Sequence, residues 1–176
     1  MRRAKSLNKE DKAVIDILAT GRFDNQPENP YDAAQEAINI IKNIASTRPN
    51  VLLEMIFKVS RSDLAIDMLP TAIACLICSS PSDYLMNKSV KKHIIAILIK
   101  FGPSKLLETV ELVKSKVFGR GMGSTAQKLF KKIIESWDES TLIWYSNFYK
   151  DSVKHLTKII HPKLTGRKGN IVKSVF

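Results

Sequence analysis

Four prolines, Pro30, Pro49, Pro70 and Pro103, each stand immediately before an apolar stripe with helical spacing. Proline lacks the amide proton that an interior helical or strand position must donate, but the first turn of a helix leaves that proton unused. A chain punctuated this way is confined to short helices. Pro30 opens a stripe of Ala34, Ala37, Ile38, Ile41 and Ile44; Pro49 precedes Val51, Leu52, Met55 and Ile56; Pro70 precedes Ile73, Ala74 and Ile77. Pro103 precedes Leu106, Val110, Val113 and Val117, at steps of four, three and four. Upstream, Val14, Ile15 and Leu18 share one face of a first helix, with Asn8 as its N-cap and Gly21 as its close. A fifth helix is predicted from about Asn87 to Phe101, with Val90, Ile94, Ile97 and Leu98 inward and Lys88, Lys91 and Lys92 outward. Further helices are expected at Thr125–Trp137, Thr141–Tyr149 and Val153–Ile160.

No segment alternates as a strand does. The expected class is all-α, with stacked antiparallel helix pairs forming a HEAT-like α-solenoid. With 176 residues and 44% apolar content, the chain can bury a core of its own. Residues 1–163 read as one α-helical domain and 164–176 as a basic C-terminal tail. The longest apolar runs, Ala72–Cys78 and Ile94–Ile99, are too short to span a bilayer, and no apolar core follows the basic start Met1–Lys5. A cytoplasmic protein with no membrane partner is expected.

Charge is distributed unevenly. The formal net charge is +11. From Leu112 to Ile134 the chain carries Lys114, Lys116, Arg120, Lys128, Lys131 and Lys132 with no Asp or Glu. From Ser152 to Phe176 it carries Lys154, Lys158, Lys163, Arg167, Lys168 and Lys173, again with no acid. Positive charge concentrated in this way favours a polyanionic partner. Lys128, Lys131 and Lys132 are three and four residues apart and form a stripe on one side of a helix. Phe118-Gly119-Arg120-Gly121-Met122-Gly123 follows a helix rather than a strand, so it is not a dinucleotide fingerprint. It reads either as a turn presenting amides and a guanidinium to phosphate, or as a plain connection with a solvated arginine. Trp144, Tyr145, Phe148 and Tyr149 fall at core-like helical spacing, and Trp137 closes the stripe of Ile133 and Ile134.

Catalysis has no visible carrier. Cys75-Leu76-Ile77-Cys78 has CxxC spacing but lies in an apolar helix with no second cysteine pair, where cysteines act as small buried hydrophobes. His93, His155 and His161 are scattered, and no triad, paired-carboxylate motif or P-loop is present. No enzyme activity, cofactor or metal is expected.

Three ordered stretches resemble the TROVE module of Ro-type RNA-binding proteins. They are the Ala-rich helix Ala72-Ile73-Ala74-Cys75-Leu76-Ile77-Cys78-Ser79, the Phe118–Gly121 turn leading to Phe130-Lys131-Lys132-Ile133-Ile134-Glu135-Ser136-Trp137, and Lys158-Ile159-Ile160-His161-Pro162-Lys163. The correspondence runs from about Tyr31 to the C-terminus. It departs from the family at about eight extra residues after Arg120, at a shortened aromatic segment after Trp137, and at Val153, where the family has histidine. The Asp-x-Ser-x-Ser metal motif of the family's von Willebrand A-like domain is missing, so the resemblance is to a short, truncated relative. It implies a partial TROVE-like ring that binds structured small non-coding RNA on a basic outer surface, in a ribonucleoprotein. A homo-oligomer would be one way to complete a ring.

The candidate RNA-binding residues are Arg120, Lys128, Lys131, Lys132, Lys154, Lys158, His161, Lys163, Arg167 and Lys168. Two rival readings are a structural or adaptor solenoid whose basic face docks an acidic protein in a larger particle, and an RNA-modifying enzyme or nuclease. The second has no clustered carboxylates or metal ligands to carry it.

Overall fold

The computed structural model describes residues 9–60, 68–116, 118–121, 123–141 and 143. The helices of these residues are α1 (Lys9–Thr20), α2 (Pro30–Thr47), α3 (Pro49–Val59), α4 (Leu69–Ser79), α5 (Lys88–Lys114) and α6 (Ser124–Ile134), with a 3₁₀ turn at Tyr84–Met86 and a further helical start at residue 139. No strand occurs among the described residues.

The punctuation acts where the sequence predicts. Proline occupies the first turn of α2, α3 and α4. Gly21 closes α1 in the left-handed region at φ +71°, with its N–H on the Ile17 carbonyl at 2.8 Å. The Asn29 side chain caps α2 by accepting from the Tyr31 N–H at 2.9 Å. Asn87 caps α5 likewise, on the Ser89 and Val90 amides. The predicted fifth and sixth helices are two segments of α5, joined across a kink at Gly102 (φ 79°, ψ −177°) just before Pro103. That left-handed φ is open to glycine without strain, and proline then restarts the helix. The candidate N-cap Asn8 lies outside the described residues.

α4 is the centre of the molecule. Nine of its eleven residues are buried, from Leu69 and Pro70 through Cys78, and it packs against α2, α3 and α5. A helix apolar on every side has no solvent face to give up, so it must be enclosed. α1 lies on α2 and α3, and α6 lies on α5. On α2 the buried set is Ala37, Ile41, Ile44 and Ala45, while Ala34 is exposed, so the packed face is turned towards Ala45. In α5, Val90, Ile94, Ile97 and Leu98 are all buried, as are Leu106, Val110 and Val113.

One charged joint fixes α1. The Arg48 guanidinium, between α2 and α3, reaches Glu10 at 2.8 Å and Asp11 at 2.7 Å. Asn43 donates to the same Glu10 carboxylate at 2.6 Å. None of the helices is long and apolar enough to cross a membrane among the described residues.

Candidate nucleic-acid interface

The candidate surface is built on α6 and the turn before it. The buried side of α6 is Ala126, Leu129, Phe130, Ile133 and Ile134. The apolar residues recur at three- and four-residue steps, which leaves Lys128, Lys131 and Lys132 on the exposed side. No acidic residue stands in the first turn, and Gly123 offers no side-chain cap. Lys131 and Lys132 fall in the last turn, where cations also complement the helix dipole. The helix ends at Ile134, and the Ser136 and Trp137 amides tighten the final turn on the Ile133 and Ile134 carbonyls. Trp137 packs half-buried against the core. Asp138 then accepts from the Thr141 N–H at 2.7 Å, and bonds to Thr141 and Ser140 hold its carboxyl below the usual carboxylate range. This cap places the next helical start at residue 139, two residues ahead of the sequence expectation.

One carboxylate modifies the stripe. Glu135, immediately beyond the acid-free run, lies 3.9 Å from Lys131. Both side chains are more than half exposed, and such a pair contributes little and is readily exchanged for another anion. Among the described residues no carboxylate pairs with Lys128 or Lys132.

The glycine–arginine turn is docked on the end of α4. Phe118 is buried in the core, and its carbonyl accepts from the Ser79 hydroxyl at 2.5 Å. Gly119, at φ +123°, lies so close to the end of α4 that a Cβ there would meet the Cys78 carbonyl oxygen at 3.0 Å. The Gly119 amide bonds to Lys116 O and the Arg120 amide to Cys78 O, both at 3.1 Å. These amides are therefore satisfied within the protein and do not form an open anion nest. The Arg120 guanidinium donates to Ser80 O at 2.5 Å, so one of its donors serves the C-terminal end of α4, where a cation is favoured. Arg120 is nonetheless exposed. It lines a cleft of about 210 Å³ with Gly121, Gly123, Ser124 and Thr125 over a floor that includes Ile77 and Leu85.

The CxxC pair lies in the interior beneath this turn. Burial pushes the Cys75 thiol up to about 12, with Cys78 adding to the shift and Lys42 opposing it. Burial pushes Cys78 up to about 11, opposed by Arg120. Both thiols are free and buried, which makes them weak nucleophiles and poor metal ligands at neutral pH. Among the described residues no three His, Cys, Asp or Glu side chains form a metal-binding group.

Of the ten candidate residues, the structure therefore brings together Arg120, Lys128, Lys131 and Lys132 on α6 and its preceding turn. Lys154, Lys158, His161, Lys163, Arg167 and Lys168 lie outside the described residues, as do Trp144, Tyr145, Phe148, Tyr149 and the tail. A second basic surface, outside the ten candidate residues, lies on α5, where the sequence places Lys88, Lys91 and Lys92 outward. No Asp or Glu occurs between Tyr84 and Leu107, and α5 presents Lys88 and Lys92 exposed there, with Lys91 half-buried. The missing acids were the available signal. Comparison with known protein families, characterised proteins and solved structures finds no match.

Proposed function

We propose that this chain is a non-catalytic RNA-binding module similar to the TROVE module, holding structured small non-coding RNA against a basic helical surface. The observation that carries this reading is the one-sided α6, with Lys128, Lys131 and Lys132 exposed opposite a fully buried apolar face. Three cations on one rigid helix, free to exchange at most one weak ion pair, suit a run of phosphates. Packing of each helix mainly on its near neighbours in sequence supports a stack of helix pairs, of which a partial ring would be one form. Arg120 belongs to this reading as a residue that holds the turn in place and offers its remaining donors at the edge of the surface.

Replacing Lys131 and Lys132 together by glutamate tests it. A low-salt mobility-shift assay is expected to show weaker binding across RNAs of different sequence. Unchanged affinity would remove the site. A wild-type protein that purifies with an ordinary 260/280 nm absorbance ratio and shifts no RNA would favour an acidic protein partner instead.

A further inference from the structure

A groove of about 310 Å³ lies between α3 and the first segment of α5. Its apolar lining includes Leu53 and Val90, both buried. Phe57 and His93 meet in it edge to face, with ring centroids 6.0 Å apart and planes at 84°. Asn50 and Glu54, one helical turn apart on α3, bring an amide and a carboxylate to the same groove. His93 is fixed in orientation, because its Nδ1 lies 2.8 Å from the Ser89 carbonyl. A carbonyl only accepts, so Nδ1 carries the proton and Nε2 of the neutral ring is left as an acceptor. Glu54 shares one oxygen with Lys58 at 3.0 Å in a highly exposed pair.

We infer that this groove takes an unpaired, amino-bearing nucleobase of the bound RNA, with the adjoining phosphates on Lys88 and Lys92. The inference rests on the RNA-binding reading and adds a site at which bases are distinguished. The volume is at the small end for ligand sites, about 300–1,000 Å³, and suits one flat heterocycle better than a whole cofactor. Aromatic rings supply stacking surface that any base can use. Glu54 makes the groove unfavourable for a free anion but accepts well from an exocyclic amine, as carboxylates do from the cytosine amino group. The Asn50 amide can donate to the adjacent ring nitrogen or carbonyl. The row Lys88–Lys92 lies one residue, about 100°, round the helix from the row Ser89–His93. Phosphate charge would therefore run beside the groove while the base entered it. No carboxylate among the described residues pairs with Lys88 or Lys92.

The test uses the full chain and short oligocytidine and oligouridine strands of equal length, read by fluorescence anisotropy. Wild type is expected to prefer the cytidine strand. Glu54→Gln should erase that preference, and His93→Ala should weaken both strands about tenfold. Glutamate at Lys128, Lys131 and Lys132 should weaken both while leaving the preference intact. Phe57→Leu, which keeps an apolar side chain but removes the ring, should match His93→Ala in direction. If His93→Ala and Glu54→Gln bind as wild type while the lysine variant loses affinity, the groove is not a base site and the RNA-binding reading stands. If wild type binds neither strand nor structured RNA, both fall.

Discussion

The Arg120 guanidinium reaches across forty residues of sequence to the Ser80 carbonyl, at 2.5 Å from Nη2. Its backbone amide bonds to Cys78 in the same place. One residue thus ties the approach to α6 onto the end of α4, the most enclosed helix of the fold. The lysine-bearing helix that follows is seated by its own buried face on α5.

Arg120→Ala should therefore cost stability as well as affinity. A hydrogen bond from a charged donor contributes about 1.5–3 kcal/mol; Arg120 is exposed, so a loss near the lower end of that range is expected. Urea denaturation measures it. RNA affinity should fall less than in the double glutamate variant at Lys131 and Lys132, because phosphate contact is assigned mainly to the lysines.

Gly119 and Gly121 should separate in the same assay. Gly119→Ala combines a left-handed φ with a close approach to the Cys78 carbonyl, and strain of this kind costs of order 1–3 kcal/mol. At Gly121 a new Cβ would press on the Lys116 side chain, which is exposed and can move. Gly121→Ala should be clearly the milder change.

Arg48→Met should release α1 from the α2–α3 corner. Its guanidinium holds Glu10 and Asp11, and the Asp11 side chain is only 12% exposed. Removing the cation from a largely buried carboxylate is expected to cost about 2–4 kcal/mol in thermal or urea unfolding. Replacing the exposed Lys58 of the Glu54 pair should cost less than about 1 kcal/mol.

The two cysteines give a pH signature. Each is raised from 9.0, Cys75 to about 12 and Cys78 to about 11. The folded chain therefore keeps thiol protons that the unfolded chain releases. Stability from this source is complete below about pH 9 and is lost as pH rises towards 11–12. Near neutrality both thiols should resist a disulfide reagent until the chain is unfolded, and Cys75→Ser should react no differently from wild type in the native state.

Much of the helical layout was legible because its signals are local. Pro49 and Pro70 mark helix starts through a missing amide, and Pro103 marks the start of the second segment of α5; that the two segments join across Gly102 was not read from the sequence. The exposed side of α6 followed from the spacing of Leu129, Phe130 and Ile133. The docking of Phe118, Gly119 and Arg120 onto α4 was not legible. It is a tertiary contact over some forty residues, and the glycines equally suited an open anion turn. The groove between α3 and α5 was hidden for the same reason, since Phe57 and His93 meet only when the helices pack. The pairing of Lys131 with Glu135 required looking one residue past the acid-free run.

The salt dependence of RNA affinity tests the central claim most directly. Each phosphate contact contributes about 0.7–0.9 to the slope of log affinity against log salt. Replacing Lys128, Lys131 and Lys132 by glutamate should therefore flatten the wild-type slope by about two or more, with the helical circular dichroism unchanged. A folded triple variant whose slope and affinity equal those of wild type would contradict the assignment of this face to RNA.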